Sequence, residues 1–137
     1  MKSTIISFLQ YFLIGIVAFF APILYAFVLI VILVFVDTIT GMMKAGKHDI
    51  KNISSKKAFA LIPKITFYCL LIIVAHSTQL YVINEVPLVK LSLIGISFIE
   101  IKSIDENFKE LFGFSFIDKT IQGIRDINQI KRHKDEN

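Results

Sequence analysis

The feature that most constrains this chain is an uncharged, mostly apolar run from Ser3 to Val36, which ends at Asp37. A helix needs roughly 18 apolar residues to cross a membrane, and this run has 34. As one helix it would measure about 51 Å, against about 30 Å of hydrocarbon. We therefore expect it to divide at Ala21-Pro22, because proline suits the first turn of a helix and disfavours helix at the residue before it.

Charge is distributed very unevenly along the chain. The sequence is 55% hydrophobic, and residues 1–101 hold only eight of its 15 Lys and Arg and four of its 11 Asp and Glu. This pattern predicts a small integral membrane protein with a polar tail. The chain lacks a glycine-rich phosphate loop, an HExxH motif and a CxxC motif, so we predict no enzyme, no cofactor and no nucleic-acid binding.

The apolar sequence falls into four segments, and the predicted fold is an all-α integral membrane protein with three to four transmembrane helices plus a C-terminal amphipathic helix. The segments cover about residues 4–20, 22–43, 58–84 and 88–101 of a transmembrane domain, 1–102. Segment 4–20 is near the minimum spanning length, so it could cross, lie in the interface or form a bent hairpin with 22–43.

A basic loop predicts the orientation of these segments. Residues 44–57 carry five lysines against one aspartate. Positive residues in a short loop beside membrane spans mark the cytoplasmic side. We therefore expect loop 44–57 and the C-terminus on the cytoplasmic face of a multi-pass membrane protein.

Residues 103–137 are predicted to form a cytoplasmic helical tail. Ser103 followed by Glu106 has the form of a capping box, and residues 115–118 offer a second helix start. Beyond it, isoleucines recur with helical spacing while cations enrich the other surfaces. This surface can lie on a membrane, pair with another copy or pack on its own chain. Its residues are Ile117, Ile121, Ile124, Ile127, Arg125, Lys131 and Arg132.

Three charged residues from three segments are expected at one depth near the cytoplasmic margin. They are Asp37, Lys64 and Glu100. An ionisable group at the edge of the hydrocarbon is costly, so it needs a partner or water. The set could form a polar collar with a stabilising ion pair, could line a water-filled lesion, or could be three separately solvated helix ends. If Asp37 and Lys64 pair, a charge-swapped double variant should partly restore what each alanine variant loses.

Two further polar patterns lie on single helix faces. Thr40, Gly41 and Lys44 follow Asp37 at helical spacing, and small or hydroxyl residues there allow close helix approach. The polar stripe of the third segment is expected to pack between subunits, with lining of water as the alternative; a metal site is improbable because its histidine stands alone. The stripe consists of Thr66, Cys69, His76 and Gln79.

Three stretches, taken in order, resemble the phage holin family that includes clostridial toxin-secretion holins. Residues 37–45 resemble its D-x-x-T-G-x-x-K-A stretch, and residues 53–57 its S-S-K-K loop, with Lys64 matching a downstream basic residue. The third stretch is similar to E-x-x-S-x-x-E-N leading to a glycine. Its matching residues are Glu100, Ser103, Glu106, Asn107 and Gly113. The resemblance covers about residues 25–115.

This resemblance implies a pore-forming protein of host cell lysis. Such a protein oligomerises in the bacterial inner membrane and permeabilises it, releasing a cell-wall hydrolase (an endolysin) or dissipating the membrane potential. Its expected partners are the lipid bilayer, further copies of itself and the hydrolase. The alternatives are a non-lytic membrane scaffold that binds a partner through loop 44–57 and the C-terminal helix, and, more weakly, a small selective transporter.

Overall fold

The computed structural model describes residues 2–48, 59 and 61–135, with side chains described for 4–47, 59 and 61–129. The basic stretch 49–58, including the S-S-K-K residues, lies outside the described residues. The described chain is helical throughout, apart from short connections. In order, the helices are α1 (Lys2–Phe20), a 3₁₀ turn (Ala21–Ile23), α2 (Leu24–His48), α3 (Leu61–Tyr81), α4 (Leu88–Phe112) and α5 (Phe116–Asp135).

Helices α2, α3 and α4 form a three-helix bundle, with the most extensive contacts between α2 and α4. Helices α2 and α4 run in the same direction, and α3 runs in the opposite direction and packs against both. The core is built only from aliphatic side chains and one tyrosine, as the apolar runs require. Its residues are Ile23, Ala26, Ile30, Val34, Tyr68, Ile72, Ala75, Val89, Leu93 and Ile96.

The uncharged N-terminal run does not fold back on itself. A 3₁₀ turn with Pro22 near its start joins α1 to α2, and the flanking residues Phe20 and Leu24 both have right-handed helical dihedral angles. The bent-hairpin option is therefore wrong: side chains 4–18 are all exposed, and only the end of α1 contacts the bundle. Proline at the start of a helical turn costs no hydrogen bond that the turn would otherwise make.

Helix α4 extends well beyond the end at Ile101 that the sequence predicts. It continues to Phe112 and stops at Gly113, whose φ of 80° is left-handed and favours glycine. Ser103 lies in the interior of this helix, so its interpretation as the start of a helix is wrong. No glycine or proline interrupts the helix between Ser103 and Gly113. The proposed boundary between residues 102 and 103 falls inside this helix.

Two helical stretches of the described chain are long and apolar enough to cross a membrane. They are Thr4–Lys47, which joins α1 to α2, and Leu61–Tyr81, which is α3. Much of their apolar surface is exposed rather than buried inside the molecule. Large apolar surfaces of this kind suit contact with lipid, not with water.

Candidate functional site

The structure brings Asp37, Lys64 and Glu100 together as an ionic triad across the three bundle helices. The Lys64 ammonium lies 2.7 Å from Oδ2 of Asp37 and 2.7 Å from Oε2 of Glu100. Glu100 is completely buried, the Asp37 side chain is 14% exposed, and that of Lys64 is 32% exposed. One lysine from α3 therefore bridges a carboxylate of α2 and a carboxylate of α4.

Two neighbouring side chains complete the hydrogen bonding of the carboxylates. The Tyr68 hydroxyl donates to Oε1 of Glu100 at 2.6 Å, and the Asn107 amide donates to Oδ1 of Asp37 at 3.3 Å. With all three charged groups ionised, two negative charges face one positive charge. These two neutral donors reduce the cost of the unmatched charge, because hydrogen bonds to charged groups are stronger than neutral ones.

The energetic meaning of the triad follows from its burial. Removing one partner of a buried ion pair typically costs about 3–5 kcal/mol, because it leaves a charge without compensation. This cost is largest at Glu100, because its buried side chain is not exposed to water. The triad therefore makes the association of the three helices depend on Lys64.

The helix-packing motif of α2 faces α4 of the same chain. The Asn107 amide also donates to Oγ1 of Thr40 at 3.2 Å, and a Cβ on Gly41 would lie 3.6 Å from the same amide nitrogen. One turn further, the Lys44 ammonium lies 2.6 Å from the Glu110 carboxylate. Two of the motifs noted in the sequence, D-x-x-T-G-x-x-K and E-x-x-S-x-x-E-N, thus pack against each other along parallel helices.

This packing continues to the end of α4, where a lysine of α2 satisfies free carbonyl groups. The Lys47 ammonium donates to the carbonyl oxygens of Glu110 and Leu111 at 2.9 and 2.7 Å. A cation is favourable there, since the last turn of a helix has unpaired carbonyls and a partial negative charge. Lys47, expected in a loop, therefore lies in α2 where it packs on α4, as does Lys44, which was expected both in that loop and on the packing face.

A cavity of about 350 Å³ adjoins the triad. It explains why the ammonium of Lys64 remains partly exposed while Glu100 does not. The cavity has room for water, and its polar walls offer hydrogen bonds. Its lining residues include Asp37, Gly41, Lys44, Lys64, Ser103 and Asn107.

The four residues of the polar stripe of α3 do not contact one another as a group, and each makes separate local contacts. The Thr66 hydroxyl donates to the Ile62 carbonyl of its own helix, and Cys69 is a half-buried free thiol. His76 packs edge-on against the Phe19 ring at the end of α1. In the described part of the chain, no three His, Cys, Asp or Glu side chains are grouped to hold a metal ion.

Gln79 has a clearer role at the outer end of the bundle. Its side-chain oxygen accepts a hydrogen bond from the backbone N–H of Val89 at 3.2 Å. The N–H groups of the first helical turn lack partners within the helix, so a residue of α3 caps the start of α4. The expectation that the stripe packs between subunits remains a prediction.

A second polar cluster fixes the start of α5. The buried Asp105 accepts hydrogen bonds from the Ser115 hydroxyl at 2.6 Å and from the N–H groups of Phe116 and Ile117. The Ser115 hydroxyl in turn accepts from the N–H of Asp118, so the helix start expected at residues 115–118 is present. Burial acts to raise the pKa of Asp105, but these hydrogen bonds outweigh burial and lower that pKa below its ordinary value of 3.8.

The residues of the membrane-surface or partner face are not brought to the triad. Ile117 is half-buried beside α4, whereas Ile121, Ile124 and Ile127 are exposed, as is Arg125. The side chains of Lys131 and Arg132 lie outside the described ones.

Tyr68, Asn107 and Asp105 contact charged or capping groups, yet sequence reasoning did not identify them as site residues. Tyr68 lies one helical turn after Lys64, and Asn107 lies two turns after Glu100. A position one or two helical turns from a charged residue is therefore the sequence signal that could identify Tyr68 and Asn107. Asp105 gave no comparable signal, because its partners lie beyond a turn whose geometry the sequence does not specify.

The apolar helices and the ionic triad buried between them define a helical membrane protein. The sequence model of the bacteriophage holin family matches residues 11–127 of the chain. The chain therefore belongs to the bacteriophage holin family, which is not a family of enzymes, and the resemblance found in the sequence is confirmed. Neither a curated protein nor a solved structure matches the chain.

Proposed function

We propose that this protein oligomerises in the bacterial inner membrane and permeabilises it, releasing a cell-wall hydrolase or dissipating the membrane potential. The observation that carries the proposal is the ionic triad of Asp37, Lys64 and Glu100, which pairs the charges of three apolar helices within one chain. Family membership supports the same function.

The triad supports a closed form of the single chain. With its charges paired internally, the bundle presents lipid with an exterior rich in exposed leucine, isoleucine, valine and phenylalanine. A water-filled lesion needs polar walls. In this proposal, copies associate as they accumulate, and triad side chains exchange their partners within one chain for water or for a neighbouring copy.

We infer that α2, α3 and α4 cross the membrane, with the His48 end of α2 and the Phe112 end of α4 in the cytoplasm. The charge-free part of α4 is short: only Leu91–Ile99 separates Lys90 from Glu100, about 14 Å of helix. Snorkelling of Lys90 and Lys102 lengthens the crossing, but it still falls below the roughly 30 Å of hydrocarbon. A short span thins the bilayer around it, which favours association and disruption.

The helical stretch formed by α1, the 3₁₀ turn and α2 is too long to cross the membrane in a straight line. Thr4–Lys47 has 44 residues, about 66 Å of helix, which is more than twice the hydrocarbon thickness. In this proposal the chain changes direction at Ala21–Ile23, so that the exposed apolar surface of α1 stays in contact with the membrane.

The proposal is tested by inducible expression in a bacterium together with a cytoplasmic cell-wall hydrolase. We expect a potential-sensitive dye to report collapse of the membrane potential, followed by appearance of the hydrolase outside the membrane. The Lys64→Ala variant should be impaired in both effects, whereas Asn128→Ala, on the exposed surface of α5, should behave as the unaltered chain. Continued growth with an intact potential at high expression would refute the proposal. A soluble protein that co-purifies in constant ratio from those cells would then favour the scaffold function.

A further inference from the structure

Helix α5 is held at a fixed position beside α4 by a buried carboxylate. Asp105 lies two turns before the end of α4, yet it binds the N–H groups of Phe116 and Ile117 at the start of α5. The chain therefore turns back after Gly113, and the first turn of α5 lies beside Asp105 of α4. The direction in which α5 leaves the bundle is set by these hydrogen bonds.

This turn places the start of α5 beside a groove on the outside of α4. Ile117 and Ile121 of α5 line one cavity of about 450 Å³ with Phe98 and Ile101 of α4. Those two α4 residues lie within two positions of Glu100 in sequence and are exposed on the outside of the bundle, at 71% and 39%. The α4 wall of this groove continues over Lys102, Asp105, Glu106 and Lys109. The groove therefore runs from the face that meets lipid, if α4 crosses the membrane, to a charged stretch beyond it.

The apolar stripe of α5 continues away from this groove. Ile121, Ile124 and Ile127 are 45%, 54% and 56% exposed and recur at spacings of three residues, which keeps them on one side of the helix. Gln122 and Asp126 lie on the opposite side. The sequence of α5 carries five basic residues and three acidic ones, a net charge of +2 that also favours an anionic surface.

We propose that α5 lies in the cytoplasmic surface of the bilayer beside its own bundle, with Ile121, Ile124 and Ile127 against the acyl chains. The proposal rests on the crossing of α4 inferred above, because the groove joins the lipid-facing side of α4 to the isoleucine face of α5. Apolar burial drives this docking, and the net positive charge of α5 strengthens it on anionic lipid.

The test uses the full chain in lipid vesicles with an environment-sensitive dye on one cysteine. In a Cys69→Ser background, Ile124→Cys and Gln122→Cys place the dye on opposite sides of α5. We expect the dye at position 124 to be quenched by nitroxide-labelled lipid and shielded from aqueous iodide, and the dye at position 122 to show the reverse. The pattern should persist when anionic lipid is replaced by phosphatidylcholine.

A matched pair of charge substitutions measures the driving force. Ile124→Asp should lower the docked fraction, with a fall of roughly tenfold or more in the docking equilibrium constant, because one isoleucine is no longer buried. Gln122→Asp adds the same charge on the polar side and should leave docking unchanged. The dye is placed at position 121 for both variants.

Three outcomes would overturn the proposal: equal iodide quenching at positions 122 and 124, docking that disappears in phosphatidylcholine, or shielding of position 124 that depends on protein concentration. The last would indicate pairing of α5 with a second copy. Leakage of a trapped dye is recorded on the same vesicles. If the trapped dye leaks while α5 remains in water, only this inference is refuted. If α5 docks on the bilayer but no leakage occurs in vesicles or cells, the result counts against the permeabilising function.

Discussion

The three-helix bundle and the two terminal helices differ in how their side chains find favourable contacts. In the bundle, polar and charged side chains meet inside the chain, as Lys64 does with Asp37 and Glu100. In α1 and in most of α5 the side chains remain exposed, including the large apolar ones. A polar group in hydrocarbon has to be satisfied within the protein, whereas an apolar side chain is satisfied by lipid alone. The bundle is therefore specified by its polar contacts, and the terminal helices depend on their surroundings.

The largest effect is expected from Lys64→Ala, which removes the cation of the triad. It leaves two carboxylates without a cation and should cost about 3–5 kcal/mol of bundle stability. Denaturant-dependent loss of helicity in detergent measures this cost. Lys90→Ala is the control, since Lys90 lies exposed at the other end of the membrane segment. Equal stability of the two variants would show that the triad does not hold the bundle together.

The next test reverses the charges of the triad. The double variant Asp37→Lys with Lys64→Asp restores one pair, but the carboxylate that Lys64→Asp introduces then faces the buried Glu100. We therefore expect the double swap to recover little stability, and the addition of Glu100→Lys to recover more by reversing all three signs. The sequence alone predicts partial recovery by the swapped pair, and the position of Glu100 beside Lys64 leads us to expect a smaller recovery. Recovery by the double swap equal to that of the triple variant would contradict the bridging role of Lys64.

A smaller loss is expected from Asn107→Ala. Its amide serves both Asp37 and Thr40, and a hydrogen bond to a charged group contributes about 1.5–3 kcal/mol. Asn128→Ala, on the exposed surface of α5, is the matched control. The same detergent unfolding experiment applies. A variant as stable as the control would mean that the seam between α2 and α4 does not rely on this amide.

The junction of α4 and α5 should depend on pH through Asp105. An aspartate in an unfolded chain has a pKa of about 3.9, and the folded-state pKa is lower. Its stabilising contribution is therefore complete above about pH 4 and is lost as the pH falls through the lower folded value. A dye on Ile117→Cys, in the Cys69→Ser background, should report release of α5 in acid. In Asp105→Asn, that transition should be absent; an unchanged transition would assign it to another group.

The smallest effect is expected at Gly41. A Cβ there would make an ordinary contact with Asn107, at 3.6 Å, and alanine favours helix over glycine by up to about 1 kcal/mol. Gly41→Ala should thus be neutral or slightly stabilising in thermal unfolding, while Gly41→Leu should separate α2 from α4 and destabilise the bundle. A marked loss with alanine would show that the helices approach more closely than this geometry allows.

Much of the architecture could be predicted from the sequence, and the failures have a common cause. Pro87 predicted that α4 begins at Leu88, since this signal acts over a few residues, whereas α3 ends at Tyr81, three residues before the predicted end. The continuation of α4 past Ser103 was missed because a capping-box pattern also occurs inside helices, where neighbouring turns already provide the hydrogen bonds. The position of α5 depends on Asp105 and Ser115 meeting across a turn, which no periodic pattern encodes.

The sequence by itself determined that the chain is helical, that it belongs in a membrane and that three charged residues lie at similar depths. Hydropathy and helical spacing are local properties, so they can be read directly from the order of residues. Only the tertiary structure decided that one lysine bridges two carboxylates, that Tyr68 and Asn107 complete the set, and that the T-G-x-x-K face of α2 packs on α4 of the same chain. Those facts depend on the relative rotation and translation of three helices, which side chains far apart in sequence fix together.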